Sequence, residues 1–258
     1  PTFGSISRAG VKSVAESLDT VGGFARSVPD VALFASVLMR DPRMLDLSYD
    51  GKPRIGMFRT LQWRHAQSET KEAFAQAAAI LSRAGAVVEE VPQPQEHCAL
   101  VQLHADIMAF ELSQALAYER IEHMGQLSTK LQAIIEAGMR IGAEEHQQNL
   151  ARAAEPRARV DSWLDTYDVL IAPSAAGEAP FADLGTGDPQ FSRAWTLFGL
   201  PCLNLPFATG PQGLPVGLQL IGKRHGDHAM LAIAAWVHQR LLAANSPDIG
   251  ASDMWPRG

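Results

Sequence analysis

Histidine, aspartate and cysteine side chains are the first candidates for chemistry in this sequence. Residues 225–228 read His-Gly-Asp-His, and two imidazoles with the carboxylate of Asp227 are side-chain types that bind metals. The simpler interpretation is a solvated loop that enters a helix, with Asp227 as its N-cap. Cys202 could act as a thiolate beside a histidine, but it stands in an apolar run, where cysteine is usually a small core residue. Cys98 opens a predicted helix, and packing is again the simpler interpretation.

No self-contained catalytic set emerges from the other residues. The pairs Glu89-Glu90 and Glu144-Glu145 are adjacent in sequence, so their carboxylates point apart on a strand or a helix. The chain contains no Gly-x-x-x-x-Gly-Lys-Ser/Thr phosphate loop, no Gly-x-Gly-x-x-Gly and no Gly-x-Ser-x-Gly. We therefore assign no catalytic residue to this chain and expect neither a metal nor a cofactor.

The elements that must position any site alternate between short apolar runs and longer helical patterns. The order strand, helix, strand over residues 53–91 predicts a parallel pairing. The three later strands are continuous apolar runs, which predicts strands covered on both faces. Strands are predicted at 53–58, 86–91, 168–173, 202–207 and 215–221, and helices at 28–40, 68–83, through most of 97–165, and in an amphipathic segment at 227–244. The prediction is one α/β domain over residues 1–258, with a helical insertion at about 95–160 and a loose tail at 245–258.

Charge and composition narrow the classes of partner. The net charge is -6, from 22 basic and 28 acidic side chains with no basic block, which argues against nucleic acid or an anionic membrane as a partner. No apolar run reaches membrane-spanning length, and no signal peptide is visible. Two cysteines do not form a disulfide framework, which favours a reducing compartment. We expect a cytoplasmic protein.

Several short motifs occur in an order that resembles the amidase-signature family, downstream of that family's catalytic serines. The region at about 95–160 matches the family only as helical sequence. Each motif alone is moderately specific, and their shared order is strongly specific. The matching stretches are PTFG at 1–4, SLDTVG at 17–22, RSVPD at 26–30, YDVLIAP at 167–173, GLP at 199–201, LNLP at 203–206 and GLPVGLQLIG at 213–222.

The resemblance implies a mixed sheet flanked by helices, incomplete at the N-terminus, and an amidase that cleaves carboxamide C–N bonds. It also implies a Ser–cis-Ser–Lys triad that forms an acyl-serine intermediate, with a neutral lysine as base and backbone N–H groups around the oxyanion. By the same resemblance the triad precedes Pro1. No lysine or serine here, including Lys52, Lys71, Ser5 and Ser7, stands in a matching context. We therefore expect the isolated chain to be inactive.

Four polar residues are candidates for a supporting role. The resemblance implies that Asp19, Arg26 and Asp30 hold the turn and the helix start behind the active site. Gln219 stands among apolar neighbours on a predicted strand, so its amide must find a hydrogen-bond partner. Direct substrate contact is the less favoured alternative for all four.

Four further residues are candidates for substrate contact. Ser174 and Ala175 follow the predicted strand at 168–173, and strand ends are where α/β pockets form. Trp195 and Phe198 lie in the segment before another strand. For these two aromatic residues, packing in the core is an equally good interpretation.

Three functional hypotheses remain open. The first is an amidase whose substrate is a small amide and whose partner is the missing N-terminal half of the same fold. The second is a catalytically inactive scaffold that binds a partner, and the third is a small metal hydrolase built on His225, Asp227 and His228.

A homodimer is also possible, and the amidase component of the glutamyl-tRNA amidotransferase is a relative that nothing here selects over a stand-alone amidase. Unpaired strand edges and an exposed apolar patch would make the isolated chain self-associate.

Overall fold

The computed structural model describes residues 1–92 and 99–245, and its centre is a five-stranded mixed sheet in the order β2-β1-β3-β5-β4. β1 pairs in parallel with β2 and β3, whereas β5 pairs antiparallel with β3 and β4. The sequence predicted this fold class, and the structure confirms it. The strands are β1 Arg54–Met57, β2 Val87–Glu90, β3 Val169–Pro173, β4 Cys202–Thr209 and β5 Pro215–Ile221.

Helices cover both faces of the sheet. Residues 93–98 and the tail after residue 245 lie outside the described residues, so the predicted loose tail and the predicted helix start at Cys98 lie there too. The helices are α1 Val28–Leu38, α2 Ser68–Arg83, α3 Leu100–Ala115, α4 Ala117–Glu122, α5 Thr129–Met139, α6 Ala143–Arg152, α7 Ala154–Thr166, α8 Arg193–Phe198 and α9 Asp227–Asn245. Within the described residues, no helix combines the length and the apolar character that crossing a bilayer requires.

The β1–α2–β2 unit forms as its sequence predicts. α2 ends where Gly85 adopts a φ of +96°, a left-handed conformation that glycine reaches without a steric penalty. The N–H of Ala86 then donates to the carbonyl of Leu81 at 3.0 Å, which closes the helix end. β2 therefore returns alongside β1 with Arg54 opposite Val87, and the predicted parallel pairing is confirmed.

Two apolar layers sandwich the sheet because successive side chains on a strand point to opposite faces. On one face Ile171 and Leu220 pack under α1, α2 and α9. On the other face Leu170 and Ile221 pack under α3, α7 and α8. β3 is buried along its whole length, as its continuous apolar run predicts.

β4 contradicts the prediction that its strand is covered on both faces. Within the described residues it pairs only with β5 and forms one edge of the sheet. Asn204, Pro206 and Thr209 are exposed, and only Leu205 is fully buried in this strand. An apolar run predicts that a strand is buried. It does not predict which neighbouring element buries it.

α9 also differs from its predicted amphipathic character. Residues 230–234 are five consecutive buried positions, and consecutive positions point in all directions around a helix. α9 packs against α1, α2 and β4, which explains why it lacks a continuous exposed face through this stretch.

Candidate functional site

A cavity of about 430 Å³ lies between the N-terminal segment, α3, α8 and β5. We call it the Gln219 cavity, after the β5 residue in its wall. It brings together side chains from four parts of the chain that are far apart in sequence. The polar ones used below are Asp19, His104, Trp195 and Gln219, with Cys202 beside them.

Asp19 closes the loop that forms one wall of this cavity. Its Oδ2 atom accepts hydrogen bonds from the backbone N–H groups of Val14 at 2.7 Å and Ala15 at 3.0 Å, and from the Ser13 hydroxyl at 3.2 Å. Its own N–H donates to the carbonyl of Ala15 at 2.8 Å. These bonds hold residues 13–19 as a compact turn, so this carboxylate has a local structural role.

Gln219 lines this cavity and has a buried acceptor atom that is unsatisfied among the described residues. It lies opposite Ala172 of β3 and Asn204 of β4, on the α3 and α8 side of the sheet, and only 8% of its surface is exposed. Its Oε1 atom has no hydrogen-bond partner among the described residues. A buried polar atom left in this state costs about 1–3 kcal/mol.

His104 and Trp195 line the same cavity, and each also has one buried polar atom that is unsatisfied among the described residues. His104 Nδ1 and Trp195 Nε1 are buried and have no hydrogen-bond partner within residues 1–92 and 99–245. Burial, assisted by the positive charge of Arg193, lowers the pKa of His104 to about 4, so its imidazole is neutral near pH 7. Sequence analysis missed His104, although a histidine inside the apolar stripe of α3, directly after Leu103, was a signal for a buried polar group.

Trp195 is held by the packing and anchoring of α8. Its ring meets Phe58 with centroids 5.5 Å apart and Phe198 with centroids 6.3 Å apart. The carbonyl of Leu197 near the end of α8 accepts a hydrogen bond from Arg157 Nη2 at 2.7 Å, which fixes this six-residue helix against α7. The indole N–H is therefore positioned by a rigid scaffold.

Cys202 is not a suitable nucleophile. Its side chain is half-buried, and desolvation of the thiol by burial raises its pKa to about 12. The thiol donates weakly to the carbonyl of Leu200 at 3.7 Å. The prediction of a small packing residue fits this environment.

The segment 225–228 does not form a metal centre. The two carboxylate oxygens of Asp227 accept hydrogen bonds from the N–H of Thr2 at 2.7 Å and from its hydroxyl at 2.6 Å. Asp227 is the first residue of α9 rather than its predicted N-cap, and it ties the N-terminal segment to the start of that helix. No cluster of three or more metal-binding side chains exists in the described part of the chain.

A second feature lies on the other side of the N-terminal segment. α1 buries Val28 and Ala32, but Leu33, Phe34 and Val37 on its outer side are exposed, and Phe24 before it is fully exposed. We call these four exposed residues the α1 face. A groove of about 400 Å³ beside it reaches from Phe34 to Leu203 on the β4 edge.

Comparison with known proteins decides the family. The family model described as Amidase matches residues 1–231, which is most of the chain. The chain belongs to the amidase family. The resemblance drawn from the short motifs is thereby confirmed.

The related proteins and solved structures match this chain over only part of their own length. The A component of the mitochondrial glutamyl-tRNA(Gln) amidotransferase of Bos taurus is 24% identical over 288 residues, which cover 93% of this chain and 55% of that protein. A crystal structure of an amidase superposes with a TM-score of 0.83 at 23% identity, covering 93% of this chain and 57% of the other. A chain from a vestigial protein complex linked to the origins of an s-triazine catabolic enzyme superposes with a TM-score of 0.80 at 20% identity. The match covers 95% of this chain and 57% of the other. The chain thus spans about half the length of the curated relatives it matches, and the structural likeness shows the fold.

Within this amidase-family fold, Asp19, Trp195 and Gln219 line one cavity, and the other predicted site residues do not. Phe198 is fully buried beneath Trp195, so core packing is the role that the structure shows for it. Ser174 donates its hydroxyl to Asn204 Oδ1 at 2.8 Å, and Ala175 beside it is exposed. Both follow β3 outside the cavity lining.

The two remaining predicted residues of this amidase-family chain lie at the start of α1. The hydroxyl of Ser27 accepts from the N–H of Asp30 at 3.2 Å and donates to its carboxylate at 2.7 Å, so this pair caps the helix. Arg26 is exposed and has no hydrogen bond or ion pair to any described residue. Neither Arg26 nor Asp30 lines the Gln219 cavity.

Proposed function

We propose that this protein takes part in the hydrolysis of a carboxamide C–N bond, as the C-terminal part of a cytoplasmic amidase that works through an acyl-serine intermediate. The observation that carries the proposal is the amidase-family match over residues 1–231. The Ser–cis-Ser–Lys triad implied by the family resemblance comes from a polypeptide segment outside these 258 residues. A small amide is the substrate, and Ser174 and Ala175 stay candidates for contact with its distal end.

The segment that carries the triad docks against the α1 face and the edge of β4. Exposed apolar side chains on α1 and an unpaired strand edge both need cover, and one packed segment supplies both. Pro1 supports this placement because it lines both the groove beside α1 and the Gln219 cavity. A segment that docks there brings its serines to the mouth of the cavity.

Ammonia release from a panel of amides tests the proposal. The panel holds one aryl amide, one aliphatic amide, one urea-like compound and glutamine. We expect the 258-residue chain alone to release no ammonia above the buffer rate, and the chain co-expressed with its upstream coding sequence to hydrolyse at least one amide. Hydrolysis by the 258 residues alone would contradict the missing-triad proposal. Inactivity of the extended protein on every amide would contradict the amidase proposal.

A partner-binding scaffold without catalysis is the second candidate, and the α1 face is the observation that favours it. The intact mass of the protein from its native source distinguishes the amidase proposal from the scaffold proposal. A mass well above 27.9 kDa, with upstream peptides that carry lysine and a Gly-Ser loop, supports the amidase. A mass near 27.9 kDa supports the scaffold.

A further inference from the structure

Glu111 stands at the end of the α3 face that lines the Gln219 cavity. His104, Met108 and Glu111 are spaced by four and then three residues, which places them on one side of the helix. The first two line the cavity. The side chain of Glu111 is only 11% exposed, and glutamate is rarely buried to this extent unless its charge has partners. Its partners therefore indicate its role.

The first partner of Glu111 is the turn at residues 13–19. The Oε2 atom accepts a hydrogen bond at 2.9 Å from the backbone N–H of Ser17, which lies 94 positions earlier in the chain. Asp19 closes this turn from within, whereas Glu111 attaches it to another element. The turn contributes four residues to the cavity lining: Val14, Ala15, Leu18 and Asp19. One carboxylate thus joins two walls of the cavity.

The second partner of Glu111 is His146 on α6. Its Nε2 atom lies 3.4 Å from Glu111 Oε1, and its side chain is buried. The imidazole stacks on Phe110, with the ring centroids 4.1 Å apart and the planes 17° from parallel. This stacking fixes the imidazole beside one carboxylate oxygen, and the other oxygen is then directed at Ser17.

α3 is itself a firmly placed element. A Cβ atom at Gly138 of α5 would lie 1.9 Å from the carbonyl oxygen of Ala109, so α3 and α5 cross at a distance that glycine alone allows. The crossing gives the turn a fixed neighbour to which Glu111 can hold it.

Apolar packing also holds the turn, but it does so without direction. Ala15 and Leu18 are buried in the core between the turn, α3 and α8. Hydrophobic contact favours burial and is non-directional, whereas a hydrogen bond weakens steeply when its angle departs from linear. Apolar packing therefore keeps the turn buried, and the bond to Glu111 fixes its orientation against α3.

We propose that Glu111 is a positioning residue: it holds the turn at residues 13–19 against α3 and so sets the separation of two walls of the Gln219 cavity. The consequence for a bound substrate rests on the proposed amidase function. The effect on the turn itself does not, so the two can be tested separately.

Hydrogen–deuterium exchange in the 258-residue chain tests the effect on the turn. Glu111→Ala should speed exchange in peptides that span residues 13–19 about tenfold or more, because the Ser17 N–H loses a charged acceptor. Glu111→Gln keeps an oxygen acceptor and should speed it about threefold or less. The exposed Glu122 on α4 is the matched control, and Glu122→Ala should leave exchange there unchanged.

Steady-state kinetics of the protein extended by its upstream coding sequence tests the effect on substrate. Glu111→Ala should raise the KM for a hydrolysed amide about three- to tenfold and change kcat less than about twofold, because a displaced wall weakens ground-state and transition-state binding alike. Glu111→Gln should restore most of the KM. A residue that only stabilised the fold would lower the amount of active enzyme, and so the apparent kcat, at an unchanged KM.

Two results would overturn the inference: exchange at residues 13–19 that Glu111→Ala leaves unchanged, and a loss of kcat at constant KM. If Glu111→Ala fails to fold, His146→Phe replaces it, since phenylalanine keeps a ring beside Phe110 and removes the nitrogen that faces Glu111. This variant should speed exchange at residues 13–19, and unchanged exchange would again refute the inference. An extended protein that hydrolyses no amide, with faster exchange in Glu111→Ala, would refute the proposed function and support the positioning role.

Discussion

Polar residues of similar type have different roles here because their immediate surroundings differ. Asp19 uses one carboxylate oxygen for three hydrogen bonds within its own turn, and Asp30 pairs with Ser27 at a helix start. These carboxylates are satisfied locally and stabilise the backbone. Gln219 and His104 each keep a buried polar atom unsatisfied within the described residues. The two groups of residues therefore differ in whether a described neighbour satisfies their polar atoms.

The buried state of His104 predicts a pH dependence of stability. Its folded pKa of about 4 lies below the ordinary value of 6.5, so the unfolded chain binds more protons between these two values. The free energy of unfolding should therefore fall as the pH is lowered from 6.5 to 4, by about 3 kcal/mol at most from this one group. Urea unfolding at pH 7 and pH 4 measures the difference.

His104→Leu should reduce that difference because leucine does not titrate. The exposed His65 supplies the matched control, and His65→Leu should keep the pH dependence of the unaltered chain. If His104→Leu and the unaltered chain lose equal stability between pH 7 and pH 4, the prediction that His104 is buried in its neutral form is wrong.

At the scale of single elements, the start of α9 shows how distant segments are joined. Thr2 is 1% exposed and Asp227 is 4% exposed, and both oxygens of the carboxylate bind Thr2. The Thr2 hydroxyl in turn accepts from the N–H of His225 at 3.0 Å. The N-terminal segment, which forms one wall of the Gln219 cavity, is thus fixed to α9.

Asp227→Asn should lower the free energy of unfolding by about 1–3 kcal/mol, because it weakens charge-assisted hydrogen bonds in a buried setting. The exposed Asp50 on the loop before β1 is the matched control, and Asp50→Asn should change stability by less than about 0.5 kcal/mol. Urea unfolding at pH 7 measures both. Equal effects of the two substitutions would show that the Thr2–Asp227 contact contributes little.

At the scale of the whole molecule, the α1 face and the β4 edge leave apolar surface and backbone groups uncovered. Phe24, Leu33, Phe34 and Val37 are each about half exposed or more. Surface of this kind marks an interaction site or an aggregation hazard in a soluble chain. The fold is therefore well packed around its sheet and still has an exposed apolar surface that suits contact with another polypeptide.

The isolated chain should self-associate through this surface. Sedimentation velocity should show species larger than a monomer, and the double substitution Phe34→Glu with Val37→Glu should shift the distribution towards monomer, because charges on the α1 face resist burial. Ile121 on α4 is 67% exposed and far from α1 in sequence, so Ile121→Glu is the control and should leave the distribution unchanged. A monodisperse monomer of the unaltered chain would contradict the prediction.

The sequence by itself determined the family and most of the elements. The predicted bounds of α2 and β5 coincide with those of the structure, and the predicted β1–β2 pairing is correct. These features depend on local information: the period of apolar residues, a glycine that ends a helix, and motifs read within a few positions. For the same reason the sequence suggested Asp19, Trp195 and Gln219 without showing that they meet.

Only the tertiary structure decided which side chains share an environment. It separated Trp195, in the cavity wall, from Phe198, in the core three residues later, and it brought His104 into the cavity. It also joined Thr2 to Asp227 across 225 positions and placed β4 at a sheet edge despite its apolar sequence. The physical reason is that burial, pKa and hydrogen-bond satisfaction depend on neighbours in space, and here those neighbours come from segments far apart in the chain.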